Sequence, residues 1–383
     1  MIPVVISGTG LFRPEHTITN AELVASFNTY VEQYNAQHAA QIAAGEVQAL
    51  APSSEEFIEK ASGIKQRYVL EKEGILDPSR MYPRLQERPD DQLSLMAEIA
   101  ADAGRKALAA AGKQPSDVDA VICSSANMQR AYPAMAIEIQ QALGAGGFGF
   151  DMNVACSSAT FGIEQAVNAV RSGTARCVLM VNPEITSAHQ EWRDRDCHFI
   201  FGDVCTAVVI ERADTATSDD QWEVLGTKLA TQFSNNIRNN FGFLNRPGRD
   251  TDQLDATLAD TTRQNDKLFV QQGRKVFKEV VPIAAAHIED HLKTLGLEST
   301  QVSRYWLHQA NQGMNQFVIK KLVGADAGAE IAPLILNEYA NTASAGSVIA
   351  FHEYHGDLKS GDYGVICSFG AGYSVGSVVV RKR

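Results

Sequence analysis

Positive charge, paired cysteines and long apolar runs are what this 383-residue sequence has little of. It carries 34 lysines and arginines against 45 aspartates and glutamates, a net charge of −11. An acidic surface is not drawn to duplex DNA or to anionic membrane, so neither is the expected partner. The six cysteines (123, 156, 177, 197, 205 and 367) form no C-x-x-C pair and no framework spacing. Cys123, Cys177, Cys205 and Cys367 lie in or beside apolar strand-like runs, which predicts reduced core thiols. No stretch approaches ~18 uninterrupted apolar residues, so membrane insertion is not expected. The amino end, MIPVVISGTGLF, lacks the basic region of a signal peptide and reads as a strand; a cytoplasmic location is expected. What is present is ordinary globular composition, 45% hydrophobic and 21% charged, in a chain long enough to bury a core without disulfides or structural metal.

Two distant stretches follow one plan. AADAGRKALAAAGKQPSDVDAVICSSAN ends at Asn127, and AAAHIEDHLKTLGLESTQVSRYWLHQAN ends at Asn311, 184 residues later. Each reads as an amphipathic helix, a Gly stop, a polar turn, an apolar strand and Ala-Asn. The match continues with FDMNVACSSATFG against ILNEYANTASAG, pairing Cys156 with Asn341 at an offset of 185. RSGTARCVLMV against KSGDYGVICSF pairs Gly173 with Gly361 at 188. A near-constant offset implies duplicated halves, here 1–215 and 222–383, joined through the polar stretch 211–221. Gly8 pairs with Gly226 at 218, so the first half holds 34 additional residues. These are assigned to 29–53 and the Pro- and Arg-rich 71–90. Tyr30, Val31, Tyr34, His38 and Ile42 at helical spacing predict an added amphipathic helix, either a surface decoration or a lid. Apolar strands alternating with helices of 10–18 residues predict α/β layers around buried sheets.

Cys156 sits where an apolar strand (148–155) gives way to small residues and a helix. A thiol there faces unpaired N–H groups and the positive end of the helix dipole, which predicts a stabilised thiolate. Alone, such a cysteine is more often structural. The repeat, however, brings Asn341 near it, and the strand YWLH ends at His308 on the corresponding edge. Nucleophile plus two hydrogen-bond donors is the set that acyl transfer needs. Gly144, Gly146 and Gly149 spell G-x-G-x-x-G but precede a strand, so no dinucleotide site is expected. His287 and His291 flank Glu289 and Asp290 without the H-E-x-x-H order and read as a solvated helix face, and His352 and His355 as structural; no metal is expected.

NVACSSATFG, FGDVCTAVVIE, HQAN, ANTASAGSV and SFGAGYSVGSVVV together resemble the β-ketoacyl-[acyl-carrier-protein] synthase III family of the thiolase superfamily. VVISGTG and ASGIKQRYV extend the likeness over nearly the whole chain. The resemblance implies a thiolase-like α/β fold, duplicated αβαβα halves in five layers, assembled as a homodimer. It implies an acyltransferase performing decarboxylative Claisen condensation in fatty acid synthesis. Cys156 would take the acyl group of an acyl-CoA, and His308 and Asn341 would stabilise the enolate of the malonyl-acyl-carrier protein. Backbone N–H groups of Cys156 and Ala371 would form an oxyanion hole. Phe57, Arg195, Arg274, Phe277 and Asn311 fall at CoA-contact positions, with no cofactor beyond the thioester substrates. The family's carrier-docking arginine falls on Gly313, leaving Lys275, Lys278, Lys320 and Lys321, with Arg274, as substitutes. Tyr132 falls where a residue crosses the dimer interface into the neighbour's acyl pocket. Acyl transfer in polyketide, quinolone or olefin pathways, or a non-catalytic partner subunit, are the alternatives.

Overall fold

The computed structural model describes residues 2–86, 88–240, 268–325 and 327–383; 241–267, within the expected second half, lie outside the described residues. Nine strands form one mixed sheet: β1 (Val4–Phe12), β2 (Ala120–Ser124), β3 (Phe148–Met152), β4 (Cys177–Glu184), β5 (Val204–Arg212), β6 (Trp222–Ser234), β7 (Val302–Leu307), β8 (Tyr363–Gly370) and β9 (Gly372–Lys382). Their order across the sheet is β7-β8-β9-β6-β1-β5-β4-β2-β3. Outward from the centre, β1-β5-β4-β2 is mirrored by β6-β9-β8-β7, with the same sequence of antiparallel and parallel pairings on each side. The two sets meet antiparallel through only two residue pairs, Val5 with Glu223 and Ile6 with Trp222. Among the described residues β3 has no mirror strand: the corresponding stretch holds the helical turn Leu336–Tyr339.

Strand alternation sorts side chains into layers. In β4, Cys177, Leu179 and Val181 pack outward with α1 (Leu95–Ala111) and α2 (Met135–Leu143), whereas Val178 and Met180 turn inward. In β8, Val365, Cys367 and Phe369 pack outward with α4 (Gly273–Thr294) and α5 (Gln312–Val323), and Ile366 turns inward. The inward residues share one core with α3 (Ser158–Arg171) and α6 (Gly346–Glu353). This is the expected five-layer thiolase-like arrangement. A Cβ on Gly8 would meet the Ala107 carbonyl at 2.4 Å, and one on Gly226 the His291 ring at 2.9 Å. Both glycines thus let an outer helix close on its strand, which supports their pairing in the repeat.

At the Cys156 turn the repeat register needs correcting. Ala155 (φ 45°) and Ala343 (φ 47°) hold the same left-handed conformation. Each donates its N–H to the asparagine two residues earlier, Asn153 Oδ1 at 2.9 Å and Asn341 Oδ1 at 3.0 Å. The offset there is 188, so Asn341 mirrors Asn153, and Ser344 mirrors Cys156. Small residues on both sides of each turn concealed a three-residue slip.

The expected helix over 29–53 is instead the end of an 18-residue helix, Asn20–Gln37, which begins at a Thr19/Glu22 capping box. Its Phe27, Val31 and Tyr34 are buried, with Phe27 stacked on His198 at 4.4 Å. His38 closes it and Ile42 falls in a separate short helix, Ala39–Ala43. The 71–90 stretch braces residues 186–193: Tyr82 Oη donates to the Ala188 carbonyl at 2.5 Å, and Arg193 reaches the Ser79 and Arg80 carbonyls. His287 and His291 are buried, not solvated: His287 lies 3.0 Å from the Lys228 carbonyl and His291 2.7 Å from Ser377 Oγ. His352 and His355 pair with Thr9 and Asp220. All six cysteines are unpaired, and Cys123, Cys177, Cys205 and Cys367 are buried in strands. No described helix is long and apolar enough to cross a membrane.

Candidate active site

Strand β3 delivers the chain to Asn153, the left-handed turn at Ala155 and Cys156, one residue short of the cap of α3. Ser158 Oγ accepts the Val154 N–H at 2.9 Å and donates to the Ala155 carbonyl at 2.8 Å, which holds the turn. On the far side, Ser374 Oγ lies 2.9 Å from Ser157 Oγ and 2.8 Å from the Ala371 carbonyl, tying the β8–β9 turn to the cysteine turn. The backbone N–H groups of Ala371 and of Cys156 itself face the sulfur and favour its anion. Burial and the charge of Glu184 oppose them and win, pushing the thiol up to about 12. The stabilised thiolate expected from the helix N-terminus is therefore corrected: burial and Glu184 keep the sulfur a thiol, with two backbone N–H groups facing it.

His308 follows β7 and anchors its own N–H on the Cys367 carbonyl at 2.8 Å. Its ring stands edge-on to Phe369, 5.4 Å away, and burial pushes it down to about 4, so it is neutral near pH 7. Asn341 is bridged to Phe201, with its N–H on the Ile200 carbonyl at 2.9 Å. Because its Oδ1 is taken by the Ala343 N–H, its amide NH2 is left as the donor for the cavity. Cys156, His308 and Asn341 all line one cavity of about 580 Å³. The cavity therefore brings together one thiol and two neutral side chains, a set able to supply a nucleophile and two hydrogen-bond donors.

Phe57, Arg274, Phe277 and Asn311 line the same cavity. Arg195 does not line it; its guanidinium lies 3.9 Å over the Phe57 ring and its Nε donates to the Pro52 carbonyl at 2.7 Å. Asn311 caps α5 through its Oδ1 and donates to the Ala61 carbonyl at 2.6 Å, so it acts as a brace in the wall. Lys278 lines the mouth beside Arg274, with Lys275 exposed on the same first turns of α4. Lys320 and Lys321 lie at the far end of α5, roughly 12 Å further along its axis. Lys320 lines a different cleft. The expected basic set is therefore two patches. Tyr132 is 81% exposed and lies outside this cavity, beside a surface cleft near Ile137.

Residues 150–232 match the 3-oxoacyl-[acyl-carrier-protein (ACP)] synthase III family, and 292–382 match its C-terminal part. The β-ketodecanoyl-[acyl-carrier-protein] synthase of Pseudomonas aeruginosa is 58% identical over 360 residues, covering 94% of this chain and 99% of the relative. The chain belongs to the 3-oxoacyl-[acyl-carrier-protein] synthase III family. Another relative, the β-ketoacyl-[acyl-carrier-protein] synthase III of Sphingopyxis alaskensis, is 28% identical over 98% of both chains. The crystal structure of the Aquifex aeolicus 3-oxoacyl-[acyl-carrier-protein] synthase III shares the fold, with a TM-score of 0.74 at 24% identity over 99% of both chains. Members of this synthase III family are condensing enzymes of the transferase class, and this chain is one.

Two features of this synthase escaped the sequence reading. Cys197, Phe199, Ile200 and Phe269 form an apolar wall of the cavity and join the core built around the inserted helix. Their signal is weak, since Cys197, Phe199 and Ile200 stand among polar and charged residues (HQEWRDRDCHFI) with no strand or helix period. Glu184, a carboxylate ending the apolar run CVLMVNPE, is fully buried behind the site; a charge at the end of a buried strand was the available clue. Gly370 also matters: a Cβ there would lie 2.5 Å from Cys156 Cβ and 3.0 Å from its sulfur. Gly370→Ala is expected to displace the thiol and slow its acylation at least ~tenfold, a barrier change of about 1.4 kcal/mol, with the thermal midpoint lowered only slightly. Stopped-flow acylation beside a melting curve checks this.

Proposed function

We propose that this synthase condenses a medium-chain acyl-CoA with malonyl-acyl-carrier protein, through Cys156, His308 and Asn341. The sharing of one apolar-walled cavity by those three side chains is the observation that carries the reading. The Cys156 sulfur attacks the primer's thioester carbonyl, and the thiol proton passes to the departing sulfur, so CoA leaves as its thiol. Negative charge on the carbonyl oxygen meets the N–H groups of Cys156 and Ala371. Malonyl-carrier protein then loses CO2, and the bonding pair becomes an enolate whose oxygen takes hydrogen bonds from His308 and Asn341. The enolate carbon attacks the acyl carbon, and the Cys156 sulfur leaves and regains a proton. No cofactor enters this sequence of steps.

The primer length follows from the Pseudomonas relative's name. A ketodecanoyl product has ten carbons and each condensation adds two, so an eight-carbon primer is the expected substrate here. Phe199, Ile200 and Phe269 supply apolar surface for it. Phe57 and Arg274 are proposed to bind CoA, Arg195 to hold Phe57, and the Arg274–Lys278 cluster to receive the acidic carrier; Lys320 and Lys321 lie apart. We further propose two halves, 1–215 and 222–383, and a cytoplasmic homodimer built on edge strand β3. Phe148 and Phe150 are exposed on that edge, and Tyr132 is exposed as well.

Intact-mass measurement across an acyl-CoA series tests the reading, followed by malonyl-carrier protein or malonyl-CoA as extender. Octanoyl-CoA is expected to acylate Cys156 fastest and to yield a ten-carbon product on the carrier. Acetyl-CoA as best primer would defeat the chain-length assignment, and no acylation by any primer would defeat the whole reading.

A further inference from the structure

Glu184 ends β4 with its side chain wholly buried. No ion pair among the described residues reaches it; serines and backbone N–H groups surround it instead. Its Oε1 accepts Ser344 Oγ–H at 2.5 Å, the Ser344 N–H at 3.3 Å and the Ala126 N–H at 3.0 Å. Its Oε2 lies 3.3 Å from Ser125 Oγ. Ser125 has one hydroxyl proton, and two carbonyls compete for it more closely, Pro183 at 2.6 Å and Asn127 at 2.9 Å. Ser125 thus shares one proton among three acceptors, and Glu184 Oε2 is the most distant of them, so this carboxylate oxygen is weakly compensated.

These contacts run into both turns of the site. The Ser125 carbonyl lies 3.2 Å from Ser158 Oγ, behind the nearer Ala155 carbonyl, and Ser158 braces the cysteine turn. Ser344 follows Ala343, whose N–H orients the Asn341 amide. Ser344, the repeat mate of Cys156, therefore presents its hydroxyl to Glu184 where the first copy presents a thiol to the cavity. We propose that Glu184 is a positioning residue: it holds the Cys156 and Asn341 turns in register, and whether it carries a proton sets how readily the Cys156 thiol ionises.

The electrostatics agree with that geometry. Burial pushes Glu184 up to about 7, while its bonds to Ser344, Ala126 and Ser125 pull the other way, so both protonation states are populated near neutrality. The titratable side chains that feel its charge are Cys156 at the turn, Cys123 in β2 and Cys205 in β5. Cys123 and Cys205 are closed off in the core and raised well above the ordinary thiol value, so they stay neutral; Cys156 alone borders the cavity. An ionised Glu184 repels the nascent thiolate; a neutral one does not.

The proposal rests on Cys156 being the nucleophile, so its test reads that thiol directly. Cys156 alkylation by iodoacetamide is followed by peptide mass spectrometry from about pH 5.5 to about pH 9. Glu184→Gln keeps a neutral group with an acceptor and a donor and removes the charge. The variant-to-wild-type rate ratio is expected near one at the acid end, where wild-type Glu184 is protonated. It should rise through neutrality to a plateau of about three- to tenfold, a coupling of roughly half to one pKa unit. A ratio independent of pH overturns the proposal. Should Glu184→Gln fail to fold, Ser344→Ala serves: losing a donor to the carboxylate moves the wild-type midpoint upward, and an unmoved midpoint overturns the link. If the titration appears but no acyl-CoA acylates Cys156, the assigned reaction fails while the coupling stands.

Discussion

Cys156→Ala is expected to take up no acyl group from octanoyl-CoA or any other primer and to lose condensation by at least ~10⁴-fold. The cavity keeps His308 and Asn341, whose anchoring bonds to Cys367, Ile200 and Ala343 do not involve the thiol. The variant should therefore still release CO2 from malonyl-carrier protein. Intact mass after incubation with primer, beside labelled CO2 release, separates the two half-reactions. Retained condensation in this variant would point to a partner-subunit role.

Asn341→Ala should do the converse. Cys156 acylation should stay within a few-fold of wild type, while condensation falls by about 10²–10³, the ~2.7–4 kcal/mol that one oxyanion donor supplies. Because Asn341 also accepts the Ala343 N–H, the alanine variant loosens a left-handed turn as well. Asn341→Asp keeps that acceptor and deletes the donor, so it should lose condensation at least as severely. Single-turnover measurements on preformed acyl-enzyme check both. His308 is held neutral, being pushed down to about 4 by burial. Its charging therefore removes no condensation between about pH 6 and about pH 8.

The duplicated plan was readable because glycines and asparagines punctuate both copies at matching distances. Helix stops at Gly112 and Gly296, and close approach at Gly8 and Gly226, are backbone demands that fix residue type. Where the punctuation is only small residues, as around Cys156 and Asn341, the register slipped by three. The three candidate residues nonetheless line one cavity, because strand ends and turns place them there. What composition could not show was environment. A thiol before a helix looks activated until the depth of its burial and a buried carboxylate behind it are known. Lysines that look like one cluster in sequence lie at two places because α5 carries Lys320 and Lys321 away from the mouth. His287 and His291 looked solvated because their helix is flanked by charges, yet their face meets β6 and β9.

The middle core layer has a consequence for how the molecule comes apart. Ile163 and Val167 of α3 share a cluster with Trp306, Ile366 and Phe351, so neither copy owns its innermost apolar layer. A duplicated chain whose copies touched only through the two residue pairs between β1 and β6 would melt in two steps. Here the loss of either copy strips the cover from the other's central helix, so unfolding is expected to be cooperative across the repeat, a single transition in calorimetry. Cys156 is contributed by one copy and His308 and Asn341 by the other, and the same shared layer means the site cannot persist in a half-folded molecule.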